Sequence, residues 1–119
     1  MQDFKQLRIY EQSKGFVVKL YEILKDFPSN ERFGLADQLR RASVSIPSNI
    51  AEGCGMSSNK GFAKFLYHSL GSCKEVEAQL DISHSLRYLS DKQNLELSAD
   101  VVSIAKQISC LIKKLEESK

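Results

Sequence analysis

Apolar residues recur at steps of three and four along nearly the whole chain, which is the spacing of one face of an α-helix. Three clusters of turn and capping residues, at 27–31, 53–59 and 89–91, interrupt this pattern. They divide the chain into four helical segments joined by short connections. Because short connections make consecutive helices antiparallel, the pattern predicts an all-α, up-down-up-down four-helix bundle that forms one domain over residues 1–119.

The first helix is predicted over residues 5–27 and has a broad apolar face. Its apolar arc of roughly 160° is wider than the ~100° that one buried face needs. Two interpretations stay open: burial deep in the chain's own core, or burial against a second subunit. The residues of this arc are Ile9, Phe16, Leu20, Ile23 and Phe27, with Tyr10, Val17, Tyr21 and Leu24 beside them.

The second helix is predicted to start after Ser29 or Asn30, with Asn30 as its capping residue. Pro47 lies inside the helical pattern and is predicted to kink or locally tighten the helix, because proline has no amide hydrogen to donate. The inner face of this helix is predicted to consist of Leu35, Leu39, Ala42, Ile46 and Ile50.

The third helix is predicted to run from Ser58 or Asn59 to about Tyr88, and the fourth from just after Ser90 or Asp91 to the C-terminus. Serine, asparagine and aspartate at these starts are good caps. The predicted inner faces are Phe62, Phe65, Leu66, Ser69, Cys73, Val76 and Leu80 in the third helix, and Leu97, Val101, Ile104, Ile108, Leu111, Ile112 and Leu115 in the fourth.

Composition excludes several classes of protein. The purely apolar runs are too short to span a membrane, and the N-terminal residues lack the layout of a signal peptide, so the sequence predicts a cytoplasmic protein without a membrane partner. The net charge is +2, with eight basic and seven acidic residues in 1–58 and nine and eight in 59–119. This even distribution along the sequence does not indicate a dedicated nucleic-acid-binding protein.

Motifs for catalysis or cofactor binding are absent from the sequence: it has no phosphate-binding glycine loop, no nucleophile elbow and no paired-histidine zinc motif. Glu77, Asp81 and His84 offer metal-ligating groups on one helix, but no other helix supplies the matching ligands of a di-iron bundle. We therefore predict no enzyme activity, no catalytic or metal residues, no cofactor and no small-molecule substrate. Cys73 is predicted to fill the core, and Cys110 to be exposed.

Short polar residues, flanked by one cation and one anion, line the second helix opposite its apolar face. A solvated helix face usually carries Lys and Glu, which have better helix propensity than Ser or Asn. Three interpretations stay open: a plain solvated face, a polar contact with a subunit or another helix, or a groove for a ligand or nucleic acid. The residues of this polar seam are Gln38, Arg41, Ser45, Ser48, Asn49 and Glu52.

Four basic residues are candidates for contacts with RNA or DNA. Arg40 and Arg41 form an arginine pair next to the polar seam, and Lys60 and Lys64 stand one helical turn apart at the start of the third helix. Arginine and lysine side chains make most of the contacts to phosphate oxygens in such complexes. Direct nucleic-acid binding through these four residues is the alternative to a role in assembly alone.

Residues 38–53, which read QLRRASVSIPSNIAEG, closely resemble the signature of a bacterial four-helix-bundle family that includes the proteins encoded in intervening sequences of large-subunit rRNA genes. Residues 71–80, 4–7 and 27–28 are similar to other segments of that family. The resemblance implies an up-down bundle that assembles as a ring-shaped homopentamer and has no catalytic residues. It also implies a relation to the accessory variability determinant of diversity-generating retroelements, which binds a reverse transcriptase and nucleic acid. The sequence therefore predicts a homo-oligomeric scaffold whose partners are RNA or a nucleic-acid enzyme.

Overall fold

The computed structural model describes residues 3–118, and within them four α-helices carry the fold. They are α1 (Arg8–Leu24), α2 (Leu35–Cys54), α3 (Asn59–Ser85) and α4 (Asp91–Glu117). Short 3-10 turns at Phe4–Gln6 and Ser29–Glu31 precede α1 and α2. Each helix packs against its neighbours in the chain, and α1 also packs against α4, which closes the predicted up-down bundle. The bundle measures 47 × 21 × 20 Å.

The core of the bundle lies on the predicted inner faces. Leu20, Leu39, Leu66 and Ile104 are among the residues that the four helices bury completely or almost completely. Most of the broad apolar arc of α1 is also buried within this chain, in agreement with the interpretation that it packs into the chain's own core. Tyr21, at the edge of the arc, is 40% exposed. Within residues 3–118, no helix is long and apolar enough to cross a membrane.

The predicted start of the second helix is wrong by several residues. α2 begins at Leu35 rather than after Ser29 or Asn30, and its capping position, Gly34, has no side chain to offer. Glu31 takes the capping role, because its Oε1 accepts a hydrogen bond from the amide of Leu35 at 3.0 Å. The hydroxyl of Tyr88 donates to the other carboxylate oxygen of Glu31 at 2.9 Å and holds it in place. Asn30 therefore does not cap the helix.

The other helix ends lie closer to their predicted positions. Ser58 caps α3 by accepting from the amide of Gly61, and Ser90 and Gln93 form a reciprocal capping box at α4. The third helix ends at Ser85, earlier than predicted, and Arg87 then adopts a positive φ of 66° that turns the chain into α4. The first helix likewise spans 8–24, shorter at both ends than the predicted 5–27.

α2 runs unbroken through Pro47, whose ring is buried, and packs closely against α3 on both sides of it. The hydroxyl of Ser69 on α3 donates to the carbonyl oxygen of Ile46 at 2.8 Å. Nearer the end of α2, Gly53 faces Phe62 and Phe65 of α3, and a Cβ at Gly53 would lie only 2.8 Å from Cδ1 of Phe62. A glycine is therefore needed here for the close approach of the two helices.

Candidate subunit and nucleic-acid interfaces

The polar seam of α2 divides into an internal and an external part. Ser72 on α3 donates from its hydroxyl to Oγ of Ser45 at 2.8 Å, and Nδ2 of Asn49 donates to both the carbonyl oxygen and Oγ of Ser45, at 2.8 and 2.9 Å. Ser45 thus forms a polar contact between α2 and α3, and Asn49 supports it through hydrogen bonds within α2. The remaining residues of the seam, Gln38, Arg41, Ser48 and Glu52, are exposed.

Arg40 and Arg41 lie on a shallow groove between α1 and α2, where they share one acidic partner. Nε of Arg41 lies 2.8 Å from Oδ2 of Asp37, and Nη1 of Arg40 lies 3.7 Å from its Oδ1. The groove encloses about 450 Å³ and is lined by Tyr21, Asp37, Arg40, Arg41, Val44, Ser45 and Ser48. Because the aspartate offsets one of the two arginines, the groove combines both signs of charge with apolar side chains.

Lys60 and Lys64 line a different cavity, between the first turns of α3 and the last turns of α4. This cavity has a volume of about 650 Å³ and walls formed by Asn59, Lys60, Ala63, Lys64, Tyr67, His68, Leu115, Glu116 and Ser118. The hydroxyl of Tyr67 donates to the carboxylate of Glu116, with oxygen–oxygen distances of 3.2 and 3.1 Å. The hydrogen bond to this acceptor raises the pKa of Tyr67 above its ordinary value.

The four candidate nucleic-acid residues therefore form two separate pairs. Contact between Ser45 and Ser72 fixes the antiparallel register of α2 against α3. From this register and a rise of 1.5 Å per residue, Arg41 lies roughly 18–24 Å along the bundle axis from Lys64 and Lys60. The structure does not bring the arginine pair and the lysine pair together into one patch.

The fold separates charge between the two halves of the bundle, although the two halves of the sequence are evenly charged. The basic half contains residues 3–14, 46–71 and 105–118, with eight basic and five acidic residues, an excess of three positive charges. The acidic half contains residues 15–45 and 72–104, with eight basic and ten acidic residues, an excess of two negative charges. Lys60 and Lys64 lie in the basic half, and the arginine pair lies in the acidic half.

The basic half contains a second basic cavity, which was not predicted from the sequence. It measures about 340 Å³, and Arg8 of α1 meets Lys106 and Lys114 of α4 there without a carboxylate among the lining residues. Within residues 3–118, none of these three cations forms an ion pair. No local pattern in the sequence indicates this site, because its cations come from opposite ends of the chain. The complete lining is Leu7, Arg8, Ile9, Lys106, Gln107, Cys110, Leu111 and Lys114.

Two of the three candidate metal ligands of α3, Glu77 and His84, are engaged in other contacts. Nε2 of His84 lies 2.7 Å from Oδ1 of Asp91, so that the pair ties the end of α3 to the start of α4. Glu77 lies 3.3 Å from Nζ of Lys74. Within residues 3–118, no group of three His, Cys, Asp or Glu side chains could hold a metal ion.

The three cysteines are free thiols in different surroundings. Cys54 and Cys73 are buried, and Cys110 is exposed. Burial disfavours the thiolate and raises the pKa of Cys73 to about 12. Burial also raises the pKa of Cys54. Cys73 therefore fills the core as predicted, and Cys110 is the thiol that faces solvent.

These features define an all-α, up-down four-helix bundle with two basic cavities at one end and a mixed groove between α1 and α2. Residues 5–110 match the family model of the 23S rRNA-intervening sequence protein, and the chain belongs to this family. Its fold is similar to a crystal structure of a protein with unknown function from the S23 ribosomal protein family of Bacteroides thetaiotaomicron VPI-5482. That alignment has a TM-score of 0.82 at 24% identity and covers 88% of this chain and 98% of the other. A comparison with curated proteins gives no significant match.

Proposed function

We propose that the chain is a non-enzymatic assembly scaffold that works as a homo-oligomer. The observation that carries this proposal is the apolar surface on the outer side of α1 and α2. Val18 is 61% exposed, Tyr21 is 40% exposed and, across the groove on α2, Val44 is 39% exposed. Val18 and Tyr21 are three residues apart and therefore neighbours on the surface of α1. Contiguous exposed apolar side chains of this kind mark contact surfaces for other proteins.

Two glycines in the middle of helices support the same proposal. Gly15 on α1 and Gly71 on α3 are exposed, and a Cβ at either position would meet no described atom within 4 Å apart from its chain neighbours and the adjacent backbone of its own helix. A glycine inside a helix costs about 1 kcal/mol relative to alanine. Contacts within the described chain do not explain that cost, whereas close approach of a helix from another subunit does, since glycine permits such approach.

The partner on the α1–α2 surface is proposed to be a second copy of the chain. Asp37, Arg40 and Arg41 place both signs of charge beside the exposed apolar residues. Such a mixture suits a protein surface, where apolar contacts and paired charges are buried together, better than it suits a polyanion. The ring-shaped homopentamer implied by the family resemblance is the assembly that we propose.

Replacing Val18 and Val44 together by glutamate is expected to dissociate the oligomer, because two charges would have to be buried in the contact surface. Light scattering coupled to size-exclusion chromatography measures the mass directly. Leu95→Glu is the control, since Leu95 is 73% exposed on α4, outside the α1–α2 groove, and its replacement should leave the mass unchanged. A wild-type chain that is monomeric at micromolar concentration contradicts the proposed scaffold.

The second candidate function is direct binding of RNA or DNA, as an accessory protein that works with a nucleic-acid enzyme. Concentration of positive charge in one half of the bundle supports it, since phosphate neutralisation requires clustered cations rather than a high total charge. The proposed relation to the accessory variability determinant of diversity-generating retroelements supports it too. On this proposal Lys60 and Lys64 make the contacts, whereas Arg40 and Arg41 are offset by Asp37.

Filter binding of a single-stranded polynucleotide over a series of salt concentrations tests this second function. The double variant Lys60→Glu with Lys64→Glu is expected to weaken binding at least tenfold. It should also reduce the dependence of the binding constant on salt concentration by the equivalent of about two phosphate contacts. Arg40→Glu with Arg41→Glu reverses the same number of charges in the acidic half and is expected to have a smaller effect. If the wild-type chain retains no polynucleotide on the filter at low salt, direct binding is contradicted. If both double variants lose the same affinity, the assignment of the binding site to the basic half is contradicted.

A further inference from the structure

We propose that the cavity between α3 and α4 binds a nucleotide, with the base inside the cavity and the phosphate on Lys60 and Lys64. This inference deepens the second candidate function and rests on it where the nucleotide is part of an RNA strand. The volume of about 650 Å³ lies within the 300–1,000 Å³ range of small-molecule sites. It therefore accommodates a nucleotide, which is smaller than most ligands at the upper end of that range.

The walls of the cavity suit a flat, mainly apolar ring. Ala63 and Leu115 contribute aliphatic surface from α3 and α4, and Tyr67 contributes an aromatic ring that is 49% exposed. The hydrogen bond from Tyr67 to Glu116 fixes the hydroxyl end of this ring across the cavity. Stacking of a base on an exposed aromatic side chain strengthens binding in single-stranded nucleic-acid complexes.

Lysines on one side of the cavity fix where the phosphate lies. Lys60 and Lys64 follow each other by one helical turn, and within residues 3–118 neither forms an ion pair. Nζ of Lys64 lies 5.9 Å from the centroid of the Phe65 ring, and no carboxylate of the described residues pairs with either lysine, so both ammonium groups can meet an anion. Glu116 lines the same cavity and repels a phosphate from its own side. The charges thus orient an anionic ligand with its phosphate toward the start of α3.

Glu116 also provides selectivity among bases. A carboxylate only accepts hydrogen bonds, and its two oxygens can accept more than the one that Tyr67 donates. The amino groups of adenine and cytosine can donate to it, whereas the corresponding position of uracil is a carbonyl oxygen that would face the carboxylate unpaired. We expect AMP to bind several-fold more tightly than UMP, since the carbonyl oxygen of uracil would face the Glu116 carboxylate with no donor between them.

The nucleotide has two possible sources, free mononucleotide or an RNA strand, and amide chemical shifts distinguish them. The ¹⁵N-labelled chain is titrated with AMP, with UMP and with a short oligoadenylate. Saturable amide shifts with AMP that are confined to 59–68 and 111–118 would show that free mononucleotide binds in the cavity. Such shifts with the oligoadenylate alone would show that the ligand is a nucleotide of an RNA strand. Absence of shifts in these segments with all three ligands overturns the inference.

Two variants test the assigned contacts, and the charge reversal has a matched control. Tyr67→Ala removes the stacking surface, and Lys64→Glu reverses one phosphate contact; each should raise the Kd for AMP, or for the oligoadenylate if only that binds, at least about fivefold. Lys92→Glu makes the same charge reversal in the acidic half and should leave the Kd unchanged. Equal effects of Lys64→Glu and Lys92→Glu, or no effect of Tyr67→Ala, overturn the inference.

The same measurements separate this inference from the proposed functions. If Tyr67→Ala binds polynucleotide as tightly as the wild-type chain does, direct nucleic-acid binding stands. The proposal that the cavity binds a nucleotide is then overturned. Saturable AMP binding without retention of polynucleotide supports the cavity and contradicts direct nucleic-acid binding. Light scattering on the same samples reports the scaffold independently, because the α1–α2 surface contains none of the residues that line the cavity.

Discussion

Replacement of Gly53 by valine is expected to lower the free energy of unfolding by about 3 kcal/mol. The Cβ alone would lie 2.8 Å from Cδ1 of Phe62, 3.2 Å from the carbonyl oxygen of Phe62 and 3.2 Å from Cβ of Phe65. The two 3.2 Å contacts are to atoms that cannot rotate away, since the oxygen belongs to the backbone and the Cβ is fixed to it. Relief therefore requires α2 and α3 to move apart, which loosens the most extensive helix pairing in the bundle.

Urea unfolding followed by circular dichroism measures this effect, and Gly71 provides the control. Gly71→Val makes the same substitution at a helix position where a Cβ meets open space. Measured at a dilution at which the chain is monomeric, so that the proposed subunit contact of Gly71 is absent, it should raise the stability slightly, because valine is a better helix former than glycine. Opposite signs at the two sites attribute the loss at Gly53 to steric conflict. Equal changes at both would contradict the close approach of α2 and α3.

The main features of the fold could be predicted from the sequence because they depend on local patterns. Apolar spacing identified the four helices and nearly all of their buried faces, and Ser58 and Ser90 marked two helix starts through caps that involve residues only three positions away. The start of α2 could not be found in this way. Its cap is Glu31, whose second oxygen is held by Tyr88, a residue 57 positions further along the chain.

The binding surfaces were harder to predict because the chain reverses direction three times. Counting charges in the two sequence halves mixes both ends of the bundle, so the positive excess of the basic half disappears from the count. Arg40 and Lys60 looked like members of one basic set, yet they lie at different heights along the axis. Within the polar seam, Ser45 contacts Ser72, which lies 27 positions away in the sequence, so a local pattern could not identify this partner.

The two candidate surfaces lie on different parts of the molecule. The apolar residues and paired charges of the α1–α2 groove are grouped around Tyr21 and Val44, whereas the basic cavity lies between α3 and α4. The groove side of the proposed subunit contact therefore does not include the residues that line the cavity. We expect variants of the groove and variants of the cavity to act additively, since they share no contacting residues.

Alkaline pH is expected to destabilise the bundle through the buried thiol of Cys73. Its pKa is raised from 9.0 to about 12 in the folded chain, chiefly because burial disfavours the thiolate. Below pH 9 the thiol is protonated in both states, so its contribution to stability is fully present. Above pH 9 only the unfolded chain loses the proton, and stability falls by about 1.4 kcal/mol per pH unit until the folded pKa is reached. Between pH 8 and 10.5 this amounts to about 2 kcal/mol.

Urea unfolding under reducing conditions at pH 8 and pH 10.5 measures this loss, and two alanine variants assign it. Cys73→Ala removes the titrating group, so it should be less stable than wild type at pH 8 but lose about 2 kcal/mol less on going to pH 10.5. Cys110→Ala removes an exposed thiol and should follow the wild-type pH dependence. Cys54, Tyr67 and Tyr88 also have raised pKa values and contribute with the same sign, so part of the alkaline loss persists in every variant. If the wild-type chain and Cys73→Ala lose the same stability between the two pH values, solvent must reach the Cys73 thiol in the folded bundle. That result would contradict the burial of Cys73 in the core.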